Sequence, residues 1–296
     1  MTVSDACCAE PRSGPHHERY ASGYTLHFTR RGVYVTHQGA AARDTVVAEP
    51  AHVLLFNHGT PYRISHPLHG GDASTVLELS PEVAREVMVH HDRAAWRDDA
   101  APFPVSHVLA TPELVLALHR LRRALIEKTD TDVAVDEQVL DILAQVARSA
   151  ARARGSRRCG ARRASTRRDR RELAEAVRLR LAGRPDANVS LSALAREVAA
   201  SPYHLARTFR AETGVPIHQY LLRLRLTLAL EDVADPSTSL GALAINLGFA
   251  SHAHFTTMFR RAFAVTPSDL RGASRRELGA VQAVSGISGR SERAGA

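Results

Sequence analysis

The sequence predicts a multi-domain chain in which a mainly-β N-terminal domain is followed by helices and then by an all-α C-terminal domain of two tandem helix-turn-helix units. Three observations carry this expectation. Short β-rich runs recur at regular spacing through the first third of the 296 residues. Two amphipathic helical patterns follow them. The last third then matches itself at an offset of 49 to 50 residues, the mark of one supersecondary unit used twice.

Residues 1–20 are rich in Pro, His, Ser and charge and read as a mobile tail. The β-rich domain is placed at residues 21–110, with strands expected at 24–29, 33–37, 45–48, 53–57, 62–65, 75–79 and 103–109 and a short helix at 81–89. Gly, Pro, Asn and Asp separate the runs, which suits a small barrel or sandwich. Residues 111–152 hold the helical pair. In 111–128, Leu114, Leu118, Leu121 and Leu125 recur at helical steps behind a Thr-Pro start, and in 135–152 Val139, Ile142, Leu143 and Val146 do the same. These stripes are buried either inside the chain or against a second subunit.

The stretch from Arg152 to Arg171 inclusive holds ten arginines and one acid, Asp169, without apolar periodicity, so residues 153–168 are expected to be a flexible linker. Its charge serves either phosphate contact or simple solvation. Residues 169–271 form the C-terminal domain, and 272–296, small and polar, are expected to be disordered.

Within 169–271, Leu191-Ser-Ala-Leu-Ala-Arg-Glu-Val198 resembles Leu240-Gly-Ala-Leu-Ala-Ile-Asn-Leu247. After one extra residue, Ser201, His204, Leu205, Phe209 and Arg210 match Ser251, His254, Phe255, Phe259 and Arg260. In the first copy Leu191, Leu194, Ala195 and Val198 make one apolar face, and Leu205, Thr208 and Phe209 the face that packs on it. Small Ala195 and Ala244 permit close helix approach, Ser201 and Ser251 cap the second helices, and Gly248 sits at a turn. The remaining faces carry Tyr203, Arg207 and Arg210, then His252, Thr256, Thr257 and Arg260, side chains suited to base edges and phosphates. A linking helix is expected at 217–232; about 16 residues at 1.5 Å each span roughly 24 Å, the order needed to address successive major grooves about 34 Å apart.

The charge distribution agrees. The net charge of +8 divides into 14 basic and 19 acidic side chains in residues 1–150 against 25 basic and 12 acidic in 151–296, so only the second half suits a polyanion. Cys7, Cys8 and Cys159 show neither disulfide nor zinc spacing, which fits a reducing cytoplasm. No uninterrupted apolar run reaches membrane-spanning length, so no membrane partner is expected.

The run Ser201-Pro-Tyr-His-Leu-Ala-Arg-Thr-Phe-Arg210, with Gly214, Gln219-Tyr-Leu-Leu-Arg-Leu-Arg-Leu226, Ala244-Ile-Asn-Leu-Gly-Phe249, Phe255, Phe259 and Pro267, resembles the tandem helix-turn-helix domain of the AraC/XylS family. The resemblance covers about a third of the chain. It implies a one-component, sequence-specific transcription regulator that binds double-stranded DNA. By position it places Tyr203, Ala206 and Arg207 of the first recognition helix and His252, Ala253, Thr256 and Thr257 of the second against bases, with Arg210 and Arg260 on phosphates. Ala206, Thr257 and Ala264 depart from the family pattern, where a polar residue, Arg and Gly are usual. His204 and His254 read as packing or capping residues, with phosphate contact as the other option.

The stretch Glu49-Pro-Ala-His-Val-Leu-Leu-Phe-Asn-His-Gly-Thr-Pro-Tyr-Arg-Ile64 resembles the cupin-like sensor domains attached to many members of this family. That implies a jelly-roll barrel with room for a small-molecule effector, followed by helices that often form a homodimer; RNA polymerase is a further implied partner. The effector site is not identifiable from the residues. His37, His52, His58, His66 and His69 lack the cupin His-x-His arrangement, so no metal or other cofactor is expected. Glu78 and Glu82 read as a strand end and a first-turn helix residue. No nucleophile and base pair stands out, so no enzyme is predicted; the alternative is a cupin-type metalloenzyme with an appended DNA-binding module.

Overall fold

The computed structural model describes residues 1–9, 13–15, 18–39, 44–91, 101–158 and 164–272. The N-terminal strands are Thr2–Cys8 (β1), Arg19–Tyr20 (β2), Tyr24–Gly32 (β3), Tyr34–Gln38 (β4), Asp44–Ala48 (β5), His52–Phe56 (β6), Pro61–Ser65 (β7), Asp72–Leu79 (β8) and His107–Leu109 (β9), with helix α1 at Pro81–His91. Helices α2 (Pro112–Glu127), α3 (Asp132–Arg158), α4 (Ala164–Gly183), α5 (Leu191–Glu197), α6 (Pro202–Thr213), α7 (Ile217–Val233), α8 (Leu240–Asn246) and α9 (His252–Phe263) follow.

The strands form two sheets, β1-β8-β3-β6-β9 and β2-β7-β4-β5, and the pairings within them are antiparallel. Val46, Ala48, Leu54 and Phe56 meet Tyr34 and Ala21 in one apolar cluster, so strands from both sheets contribute to it. Every residue of β6 is buried, as expected of a strand lying inside its sheet between β3 and β9.

By contact the chain divides into two compact units, Met1–Thr111 with Leu143–Leu228, and Pro112–Ile142 with Ala229–Ala296. In the first, Ala51 joins Ala174, Val177 and Leu181 of α4, Leu194 and Ala195 of α5, and Leu205 and Phe209 of α6 in a shared core. In the second, α2 packs against α9, and Leu114, Leu118 and Leu121 are buried, so this part of the α2 stripe is covered within the chain.

Two sequence expectations need correction. Residues 2–8, expected in a mobile tail, form β1 along β8 from Thr2↔Glu78 to Cys8↔Asp72. This edge strand is mostly exposed and lacks apolar alternation, so nothing in its hydropathy marks it. Backbone pairing holds it, with the Thr75 hydroxyl donating to Asp5 Oδ1 at 2.7 Å and Arg30 pairing with Asp5 at 3.3 Å. The expected linker at 153–168 is also largely helical, because α3 continues to Arg158 and α4 begins at Ala164; arginine is a good helix former even where no apolar stripe is present. Residues 159–163 and the expected tail at 273–296 lie outside the described residues.

The two helix-turn-helix copies close differently. Gly214 ends α6 in the left-handed conformation at φ 80°, whereas its counterpart Ala264 ends α9 at φ 60°. A Cβ in that region costs roughly 1–2 kcal/mol, part of which glycine returns through the entropy of the unfolded chain. Ala264→Gly is therefore expected to stabilise the protein by about 0.5–1 kcal/mol, read as a rise in the denaturation midpoint. A fall would contradict the strain.

Candidate nucleic-acid interface

Serine caps start each of the four helix-turn-helix helices. Ser190, Ser201, Ser239 and Ser251 accept from the backbone N–H of Ala193, His204, Ala242 and His254 at 3.1, 3.2, 3.4 and 3.1 Å. Each satisfies a donor that the first helical turn leaves open.

In the first unit, burial of Leu205, Thr208 and Phe209 fixes which face of α6 points outward. That face carries Tyr203, 76% exposed, and the exposed Arg207 and Arg210, with Ala206 half-buried between them. Steps of three and four residues align these positions on one side of the helix. Among the described residues neither guanidinium forms a hydrogen bond or ion pair. The same four residues border a cleft of about 800 Å³ whose other walls include Leu191, Ile217 and Leu221.

In the second unit, Phe255, Phe259 and Phe263 are buried, with neighbouring ring centroids 5.5 and 4.7 Å apart. His252, Ala253, Thr257 and Arg260 are exposed and Thr256 is half-buried. The Thr257 hydroxyl donates to the Ala253 carbonyl at 2.9 Å, and Thr256 Oγ1 lies 3.5 Å from His252 Nε2. Thr257 stands where the first copy has Arg207, with its one donor already engaged by its own helix. His204 and His254 are both exposed, and the His254 ring packs edge-on to Phe249 at 5.7 Å.

A buried polar network positions the first helix-turn-helix. Arg178 on α4, 1% exposed, donates through Nε to Tyr220 Oη at 3.1 Å, through Nη1 to both Glu175 oxygens at 2.7 and 2.8 Å, and through Nη2 to the Val47 carbonyl and to Glu49 Oε1 at 3.2 Å. Glu49 Oε1 also accepts from the Tyr220 hydroxyl at 2.6 Å and lies 2.5 Å from His52 Nδ1, while Oε2 accepts from Ala51 N at 2.7 Å. Val47 N donates to Glu175 at 2.7 Å. The segment from Val47 to His52 is thereby tied to α4 and α7.

The charge states follow from this packing. Burial, reinforced by Arg178, lowers His52 to about 4, so it is neutral. Burial opposes ionisation of Glu49, but the hydrogen bond from His52, the charge of Arg178 and the Tyr220 hydroxyl outweigh it and lower the carboxyl to about 2. Burial raises Glu175, with Arg178 and the Val47 N–H pulling the other way. Arg178, despite burial, is held above the ordinary arginine value by Glu175, Tyr220 and Glu49.

None of these five residues was marked as functional by the sequence, although one signal was present. Arg178 occupies the stripe of Ala174, Val177 and Leu181, so an arginine sits at a core position of α4. Arg225, interleaved in the linking helix, is likewise structural: it is buried and donates to the carbonyls of Pro185, Asp186 and Ala187.

A helix-turn-helix domain family matches residues 194–273. The regulatory protein SoxS of Salmonella typhimurium is 31% identical over 86 residues, which are 29% of this chain and 80% of SoxS. The chain belongs to the AraC family. Two other relatives match over less of their own length. The activator RhaS of Escherichia fergusonii is 37% identical over 28% of this chain and 30% of that protein. AdaA of Bacillus subtilis, named a bifunctional transcriptional activator/DNA repair enzyme, is 30% identical over 30% of this chain and 42% of its own. The chain thus spans less than half the length of these two relatives. Among solved structures, an AraC-type regulator from Chromobacterium violaceum is 29% identical, covering 37% of this chain and 96% of that one at a TM-score of 0.32. A ToxT structure from Vibrio cholerae is 10% identical, covering 90% and 95% at a TM-score of 0.37.

Two predictions follow from the network. Arg178→Met strands two buried carboxylates and is expected to cost about 3–5 kcal/mol of stability, measured by urea unfolding; a loss under about 1 kcal/mol would show the network to be slack. Because His52 titrates at about 4 in the folded chain against an ordinary 6.5, the unfolded chain takes up that proton first. This contribution is full above pH 6.5 and declines as the pH falls towards about 4, and the Glu49 contribution is lost over an overlapping, lower window from 4.5 to about 2. The urea midpoint should drop across the upper window, and His52→Gln should flatten the drop.

Proposed function

We propose that this AraC-family chain is a cytoplasmic one-component transcription activator that reads double-stranded DNA with α6 and α9 and answers to a small molecule. The observation that carries the reading is the pair of capped helices whose buried faces leave one polar, cationic side outward. Tyr203, Ala206 and Arg207 face bases from α6, and Arg207 supplies a planar fork suited to guanine O6 and N7. His252, Ala253, Thr256 and Thr257 face bases from α9 with weaker donors, and Arg210 and Arg260 hold phosphates.

The N-terminal β region is read as a cupin-like jelly-roll serving as sensor. The support is a cleft of about 610 Å³ between the β4-β5-β7 face and α4, lined by His37, Asp44, Arg171, Glu172, Glu175 and Leu179. His37 stands in its wall, within hydrogen-bond distance of Thr45 at 3.3 Å and Ser65 at 3.1 Å. Glu175 belongs to both the cleft and the Arg178 network, so a ligand there touches the residue that ties β5 to α4. A homodimer is supported by the exposed apolar residues Ile126, Val133 and Leu140 on α2 and α3, and the activators among its relatives suggest RNA polymerase as a further partner. No described helix is long and apolar enough to cross a membrane.

Arg207→Ala is expected to weaken binding to the protein's own operator by roughly 1–3 kcal/mol while leaving non-specific binding nearly unchanged. Arg210→Ala and Arg260→Ala should lower affinity on every sequence and reduce the salt slope by about 1 each. Gel shifts on the operator and on shuffled DNA across a salt series separate the two roles. Equal losses from Arg207→Ala on both DNAs would reject base reading by α6.

A further inference from the structure

We propose that Cys8, His66 and Asp72 form a site for a zinc-class divalent cation that clamps the N-terminal edge strand β1 to the body of the β domain. One donor atom from each residue lies within 4.8 Å of the other two. They come from three separate segments, which is why their sequence spacing carries no metal signature.

The site is built by the fold. Cys8 and Asp72 are directly paired across the β1–β8 ladder, so their side chains share a face. Cys7 falls on the other face and is exposed. The backbone of His66 is fixed by two hydrogen bonds with Ser13, of 2.9 and 3.1 Å. Gly71 permits the close approach: a Cβ there would lie 2.0 Å from the Cys8 carbonyl oxygen.

The chemistry selects the ion. His66 Nε2 and Asp72 Oδ1 are 3.1 Å apart, close to the roughly 3.3 Å separating two ligands about 2.0 Å from a tetrahedral zinc. His66 is 3% exposed and the Asp72 side chain 10%. A divalent cation held by these groups would displace the thiol proton and neutralise the resulting thiolate together with the Asp72 carboxylate. The other Asp72 oxygen accepts from the Ser74 hydroxyl at 3.4 Å, an outer-shell bond that orients the ligand. Thiolate with imidazole and carboxylate suits zinc rather than magnesium or calcium, and three protein ligands leave a fourth position for water.

The test uses the full chain, stripped with chelator and titrated with Zn²⁺ against a competing chelator, then with Co²⁺ as a spectroscopic stand-in. One equivalent of metal and a thiolate-to-cobalt charge-transfer band are expected. Cys8→Ser should abolish the band and weaken Zn²⁺ by more than the roughly 10–100-fold typical of outer-shell changes, and Cys7→Ser should retain both. Binding that survives Cys8→Ser, a band lost equally in Cys7→Ser, or no stoichiometric metal would each overturn the site. Operator binding by Cys8→Ser, measured in parallel, shows that the variant is folded. It also separates failure of this site from failure of the DNA-binding reading, on which the site does not depend.

Discussion

A guanidinium taken wholly out of water is the constraint on which the first compact unit depends. Burying an ion costs several kcal/mol unless good geometry and further hydrogen bonds compensate. Arg178 meets that condition only where α4, the Val47–Glu49 segment and Tyr220 of α7 converge, since Glu175, Glu49, the Val47 carbonyl and Tyr220 Oη are its partners. An apolar cluster would tolerate small rotations of α4 against the sheet. A forked donor facing two carboxylates and a carbonyl does not, because each misaligned N–H leaves a buried polar atom unmatched. The restraint reaches α6 directly, as the Tyr220 ring packs edge-on against Phe209 with centroids 5.2 Å apart.

The repeat shows how one scaffold carries two different faces. Caps and apolar positions recur at the same offsets, so both copies fold by the same local rules. The left-handed residues are exchanged: the inter-helix turn uses Ala199 at φ 51° in the first copy and Gly248 at 76° in the second, while the helix end uses Gly214 in the first and Ala264 in the second. Each copy therefore retains one strained alanine. The exposed positions have diverged further, with Arg207 in one and a self-bonded Thr257 in the other. The first face is richer in free donors, and the second keeps mainly Arg260.

Legibility in the sequence followed locality. The strands from 24 to 79, the linking helix and both helix-turn-helix units were readable because alternation, helical steps, prolines and serine caps are local signals. Strand β1 was not, because it is held by backbone pairing and by Asp5 rather than by apolar alternation. The exposed residues of α6 and α9 could be named since burial of Leu205 and Phe209, or of Phe255 and Phe259, settles the opposite face. The network could not, because Glu49 and Arg178 are 129 positions apart, and no single-sequence pattern distinguishes a buried arginine from a surface one except its place on an apolar stripe. The same limit hid Cys8, His66 and Asp72.

The position of Glu175 gives an effector reading a physical scale. Glu175 lines the cleft beside α4 while it accepts from Arg178 and from Val47 N. A ligand alters DNA binding only through a difference in its affinity for two arrangements of the chain, and the reverse effect of DNA on the ligand is equal in size. A ligand that left Glu175 in place would stiffen the existing arrangement and gain little leverage. One that drew Glu175 away would leave Arg178 with Glu49 as its one carboxylate beside the Val47 carbonyl and Tyr220 Oη, and free the Val47 N–H, at a cost set by those buried groups. On the effector reading, coupling would be bounded by the strength of the network itself: the bonds that hold α6 in register with the sheet would also fix how much free energy a ligand had to supply to move it.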